Sequence, residues 1–125
     1  MDLTLKGKTA IVTGGGSNIA RSIVMTMAEE GANVAIFDID QAAAQAVVTQ
    51  VREGGASGRV EAYPTDVTDR QQVEDSIRRV VEDYGQVHIL VNGVGWDQMG
   101  AFLDQTPEFH DKIVDLNYMG SLRCI

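Results

Sequence analysis

Residues 11–20 read IVTGGGSNIA: the end of an apolar, β-branched run, three consecutive glycines at Gly14, Gly15 and Gly16, then Ser17, Asn18 and the opening of a helical pattern. The stretch is either a tight strand-to-helix turn or a phosphate cradle. The dinucleotide fingerprint G-x-G-x-x-G is met at Gly14 and Gly16, but its third glycine falls on Ile19. Alone, such a motif decides little; its setting decides more.

Outward from the turn, short apolar runs alternate with helical periods. TAIVT (9–13), NVAIF (33–37), RVEAY (59–63) and HILVN (88–92) are strand candidates. Ile19, Ile23, Val24, Met27 and Ala28 share one face of a first helix that stops at Gly31. Ala44, Val47, Val48 and Val51 repeat along a second, which ends at Gly54-Gly55. A third carries Val73, Ile77, Val80, Val81 and Tyr84, with Thr68 and Gln71 spaced as a capping box and Gly85 at its end. Thr106-Pro107 opens a fourth that continues through Phe109, Ile113, Leu116 and Gly120. This β-α-β-α-β-α-β-α order predicts an α/β fold: a doubly wound parallel sheet with right-handed crossovers and helices on both faces. One domain over residues 1–125 is expected. Its last helix runs into YMGSLRCI with no glycine, proline or polar stop, as though the chain ended before the fold does.

Ten basic against 18 acidic residues give a formal net charge of −8, which argues against nucleic acid or an anionic membrane surface as a partner. The single cysteine, Cys124, forms no internal disulfide, and neither His88 nor His110 sits in a zinc-type spacing; a reducing cytoplasm and no metal are expected. MDLTLKGK lacks the apolar core of a signal peptide, and no apolar run approaches the roughly 20 residues of a membrane span.

The glycine stretch thus lies where a phosphate site needs it, between the first strand and the first helix. Glycines allow a close backbone approach, and the free N–H groups of a helix start favour an anion. The second strand ends at Asp38, 22 residues after Gly16, where a carboxylate can accept hydrogen bonds from an adenosine ribose.

With these marks the chain resembles, over its whole length, the N-terminal half of the short-chain dehydrogenase/reductase family. The motifs are TGGGSNIA for T-G-x-x-x-G-x-G, Asp38, Asp66-Val67 after the third strand, NGVG at 92–95 for N-N-A-G, and Asn117 in DLNYMG. The resemblance implies a Rossmann-type sheet in the order 3-2-1-4, with the rest of the sheet missing. It implies NAD as cofactor, bound by Gly14, Gly16, Ser17, Asn18 and Ile19 at the turn and by Asp38 and Ile39 at the ribose. Asp66 and Val67 would contact adenine, while Asn92, Gly93 and Val94 would line the cofactor's path. Asn18 and Ala20 replace two family glycines, so the turn must hold two side chains. Gly93 and Val94 replace Asn and Ala. NAD is expected over NADP, because Asp38 would repel a 2′-phosphate and Ser17 stands where NADP-preferring relatives often carry Arg or Lys.

The implied chemistry interconverts a secondary alcohol and a ketone, using a Ser, a Tyr-x-x-x-Lys pair and an Asn. Only Asn117 of that set is present: four places after Tyr63, Tyr84 and Tyr118 stand Val67, His88 and Leu122. Asn117 is assigned a water in the proton relay, against the alternative of a buried residue bonded to a helix carbonyl. The GWDQMGAF segment would form part of a substrate wall. Its Gly95-Trp96-Asp97 start resembles dehydrogenases of cyclic hydroxyacyl-CoA thioesters, which suggests a cyclic hydroxyacyl-CoA or 3-oxoacyl substrate. The 125-residue chain alone is expected to be inactive and to assemble into homo-oligomers. Two alternatives are a short nucleotide-binding module without catalysis and an interaction domain that kept the fold and lost the cofactor.

Overall fold

The computed structural model describes residues 2–125. β1 (Thr9–Thr13), β2 (Asn33–Asp38), β3 (Val60–Pro64) and β4 (Ile89–Val91) form one parallel sheet in the order β3-β2-β1-β4. Helices α1 (Asn18–Glu29), α2 (Gln41–Glu53) and α3 (Arg70–Tyr84) make the crossovers. After β4 come a short 3₁₀ turn at Phe102–Asp104 and α4 (Pro107–Val114), a π turn at Asp115–Met119, and α5 (Gly120–Cys124). The doubly wound order read from the alternation is therefore the observed one.

Two cores explain the hydrophobic periods. Val12, Val34 and Ile36 pack with Ala20, Val24, Ala28, Ala44, Val47 and Val48 on one face of the sheet. Ile11, Ala35, Phe37 and Tyr63 pack with Val80 on the other. β1 and β2 are covered on both sides, which is why they read as unbroken apolar runs. Ile19 departs from its expected place: Ala20 takes the core position, and Ile19 is 79% exposed. Val81 also turns outward, while Ser76 joins Val73 and Val80 inside.

The capping box expected at Thr68 and Gln71 is not formed; α3 has a simple cap one residue later. Asp69 is the cap and accepts from the Gln72 N–H at 3.2 Å, while the Thr68 side chain is committed to Asp66. Thr106 caps α4 as expected, accepting from Phe109 N–H. The fourth helix is not continuous, because the π turn interrupts it. Its expected core stripe is only half-buried at Phe109, Ile113 and Leu116, and fully buried only at Gly120.

Tyr63 belongs to the packing of β3 on α3. It is 2% exposed, its hydroxyl donates to Asp83 Oδ2 at 2.5 Å, and burial together with that bond raises its pKa. His88 closes the β1–β4 ladder with a side chain: its Nδ1 accepts from the buried Thr9 N–H at 3.0 Å, beside a backbone bond from His88 N–H to the Thr9 carbonyl at 2.9 Å. His88→Ala orphans that N–H, a cost of about 1–3 kcal/mol. Urea unfolding should show it as a lower midpoint at constant slope.

Among the described residues, nothing pairs with the outer edge of β4. No described helix is long and apolar enough to cross a membrane.

Candidate functional site

The carboxyl ends of all four strands open on one cleft of about 310 Å³. It lies where the strand order reverses, with β2 and β4 on opposite sides of β1, the position at which doubly wound sheets hold ligands. The β1–α1 turn supplies Gly14 and Ser17 to its wall and the start of α1 Asn18, Ile19 and Ala20; Asp38 ends β2 and Ile39 follows it; Thr65, Asp66 and Val67 follow β3; Gly93, Val94 and Gly95 follow β4.

The turn is built for close approach. Gly14 takes φ +68° and donates its N–H to the Phe37 carbonyl at 2.7 Å. Ser17, the cap of α1, makes no side-chain capping bond, whereas Asp40, Asp69 and Thr106 cap α2, α3 and α4. The first-turn N–H groups of α1 thus lack a protein side-chain acceptor at the cleft, which suits an anion. Asn18 sits at φ +53°, so it occupies the left-handed backbone that a glycine would adopt freely and that Asn tolerates best among the rest. Asn18→Ala is expected to cost about 1 kcal/mol and Asn18→Gly to be neutral or stabilising; thermal unfolding of both variants checks it.

Asp38 ties the turn to β2. Its Oδ2 accepts from Gly16 N–H at 2.9 Å and its Oδ1 from Asp40 N–H at 2.8 Å. A Cβ on Gly16 would stand 2.8 Å from that Oδ2 and 2.9 Å from the Ala44 nitrogen. Gly16 therefore contributes through Asp38, not by lining the cleft. Each carboxylate oxygen still has acceptor capacity for a hydroxyl.

On the far wall, Asp66 Oδ1 accepts from both Thr68 N–H (2.9 Å) and Thr68 Oγ1 (2.7 Å), and Gln72 Oε1 accepts the Asp66 N–H at 3.0 Å. These bonds fix the Asp66-Val67 backbone. Beneath it Cys124 packs with Val67 and Val73, and burial pushes its thiol pKa up; it is a packing residue.

Thr13 was not singled out from the sequence, though it opens TGGGSNIA. It is 1% exposed, and its Oγ1 accepts from Gly93 N–H at 3.0 Å and Val94 N–H at 3.3 Å, clamping the ends of β1 and β4 together. Gly93 is needed for this: a Cβ there would stand 2.8 Å from the Ala20 methyl and closer still to the Thr13 carbonyl oxygen. The two departures at 20 and 93 are thus linked, a methyl on one side facing none on the other. Asn92 is exposed and stands off the cleft wall, so Gly93 and Val94, not Asn92, line it.

Asn117 lies in the π turn and is exposed; of the alternative reading the burial is not found, while the bond to a helix carbonyl, at Ile113, is. Its Nδ2 donates to the Trp96 carbonyl at 2.7 Å and the Ile113 carbonyl at 2.9 Å, while its Oδ1 accepts from Trp96 N–H at 2.9 Å. Both amide hydrogens are committed. Trp96 is further held by Phe109, 5.6 Å between ring centroids, and by Lys112 Nζ 3.8 Å over its ring. The segment after Gly95 is thereby fastened to α4. Among the described residues no group of three or more His, Cys, Asp or Glu gathers to hold a metal.

The chain is similar to known proteins over nearly its whole length. The 3alpha-hydroxysteroid dehydrogenase of Mediterraneibacter gnavus is 35% identical over 99% of this chain and 50% of its own length. The 3-oxoacyl-(acyl-carrier-protein) reductase of Thermotoga maritima is 30% identical over 94% of this chain and 47% of its own. The crystal structure of a 3-ketoacyl-(acyl-carrier-protein) reductase from Brucella melitensis, complexed with NADH, superposes with a TM-score of 0.86 at 29% identity, over 96% of this chain and 48% of that one. The chain spans about half the length of the curated relatives it matches. The short chain dehydrogenase family model matches residues 8–125, and the chain belongs to that family.

Proposed function

We propose that this chain is the cofactor-binding half of an NAD-dependent oxidoreductase that interconverts a secondary alcohol and a ketone. The observation that carries the reading is Asp38, whose carboxylate bridges the glycine turn and β2 beside a helix start without a side-chain cap. The cradle fits a dinucleotide: N–H groups for the pyrophosphate, two carboxylate oxygens for the ribose hydroxyls, and Asp66-Val67 beside the adenine. Exposed Ile19 and Ile39 give the cleft apolar contacts for flat rings. When bound, the nicotinamide would supply or accept the hydride.

Asn117 would act by position. With its amide committed to Trp96 and Ile113, the water of the proton relay would be held by backbone carbonyls that the π turn exposes, with Trp96 as substrate wall. The Ser and Tyr-x-x-x-Lys of the family's set would come from residues outside this chain. The left-handed φ of Asn18 and the fit of Ala20 against Gly93 support a working turn over the interaction-domain alternative. Val114, Tyr118 and Leu122 are 52%, 62% and 45% exposed at helical spacing, which favours a homo-oligomer. A 3-oxoacyl thioester or a cyclic hydroxyacyl-CoA is the proposed substrate class, in a reducing, cytoplasmic setting.

The test is NADH oxidation by the full-length protein over a panel of 3-oxoacyl thioesters, cyclic ketones and simple ketones. Turnover on any of them supports the oxidoreductase reading, and the preferred member gives the class. Tight NADH binding with no turnover across the panel would favour the non-catalytic module.

A further inference from the structure

The last turn of the chain holds a charged side chain that the site described above does not use. Arg123 is only 13% exposed at its side chain. Its Nη1 donates to the Val67 carbonyl at 3.1 Å and lies 3.5 Å from the Asp115 carbonyl; its Nη2 donates to Asp115 Oδ1 at 2.5 Å. Val67 lines the cleft. Asp115 is the first residue of the π turn and stands two residues before Asn117. One rigid guanidinium therefore spans the loop at the adenine end of the cleft and the turn that aims Asn117.

The contact is continuous on either side of Arg123. Gly120 packs so tightly that a Cβ there would stand 2.9 Å from Val67 Cγ2 and 3.4 Å from the Asp115 carbonyl oxygen. Cys124 of α5 packs with Val67, and Leu116 of the π turn packs against the same cluster. A shift of the Val67 backbone would be transmitted to the π turn, because close-packed groups displace one another and the planar fork holds both partners in one geometry. Asn117, bonded to the Trp96 backbone in both directions, would carry the shift on.

We propose that Arg123 is a positioning residue that couples occupation of the adenine end of the cleft to the setting of Asn117 and Trp96. The inference rests on the dinucleotide reading of the cleft. It makes the adenine half of the cofactor a signal that the cleft is loaded, passed to the side of the site where the substrate would sit.

The experiment uses AMP, which occupies the adenine end only, on full-length protein labelled with 5-fluorotryptophan. The Trp96 resonance is assigned by its loss in Trp96→Phe. Saturating AMP should shift the Trp96 resonance in the parent protein. In Arg123→Lys, which keeps the charge and loses the fork, and in Arg123→Met, AMP should still bind, weakened by about threefold, while the shift at saturation falls to a small fraction of the parent's. A static structural role would change the resting resonance or the melting temperature and leave the AMP-dependent shift intact. An undiminished shift in both variants, or no shift in a parent that binds AMP by calorimetry, overturns the coupling and leaves the dinucleotide reading standing. If neither AMP nor NADH binds the parent, the dinucleotide reading fails and the coupling with it.

Discussion

Asp38→Ala is expected to weaken NAD(H) binding to the full-length protein by about thirtyfold and to abolish its preference over NADP(H). The loss follows from hydrogen bonds to a charged acceptor, each worth about 1.5–3 kcal/mol; the carboxylate also organises the turn through Gly16 and Asp40 N–H. The preference follows from Coulomb repulsion. A 2′-phosphate about 4 Å from Asp38 costs on the order of 4 kcal/mol per unit charge at an effective dielectric near 20, an upper figure that partial exposure reduces. A third of it still leaves about tenfold. Among the described residues no Lys or Arg lines the cleft to offset it: Ser17 is uncharged, and the Arg21 guanidinium is turned to Gln50 of α2. Adding Ser17→Arg to Asp38→Ala should then draw NADP(H) in more tightly than NAD(H). Calorimetry with both cofactors reads each step, and equal binding of NADP(H) by the unaltered protein would remove Asp38 from its role.

Asn117→Ala in the same protein should lower kcat by about a hundredfold, the low end of what positioned proton transfer contributes, and leave the NAD(H) dissociation constant within about twofold. The separation follows from where Asn117 acts. Its three bonds fasten Trp96 to α4 and none reaches a residue of the pyrophosphate or ribose side. Asn117→Asp keeps the acceptor for Trp96 N–H but loses both donated bonds, so it should also be impaired. If Asn117→Ala chiefly lowers the melting temperature and spares turnover, the residue is a loop clamp and no part of the chemistry.

The fold was legible because β1 and β2 are buried on both faces, so their apolar runs stand out against helices of amphipathic period. Order 3-2-1-4 came with the family resemblance and is the order found. Much of the candidate site was legible for the same local reason: Gly14, Asp38 and Asp66 sit at strand ends, where sequence position fixes spatial position. What escaped the sequence were contacts between distant segments. Thr13 reaches Gly93 across 80 residues, and nothing within TAIVT marks its hydroxyl as more than a strand residue. Asn92 and Gly93 are neighbours in the motif, yet only the three-dimensional register sends one to the cleft and the other to the surface. The π turn was invisible as well, since Phe109, Ile113, Leu116 and Gly120 keep a helical period through it; the widened turn becomes evident only with Asn117 bonded to Trp96 and Arg123 to Asp115. Ile19 carried two conflicting signals, core periodicity and cleft position; Ala20 takes the core place and Ile19 faces the cleft.

The central claim is that the cleft at the carboxyl ends of β1, β2, β3 and β4 is a dinucleotide site organised by Asp38. A crystal structure of the full-length protein with NAD(H) tests it most directly. The account predicts the pyrophosphate on the N–H groups of Ser17, Asn18 and Ile19, both adenosine ribose hydroxyls on the Asp38 carboxylate, and adenine against Val67. A nucleotide bound elsewhere, or bound in this cleft with its ribose turned away from Asp38, would contradict it.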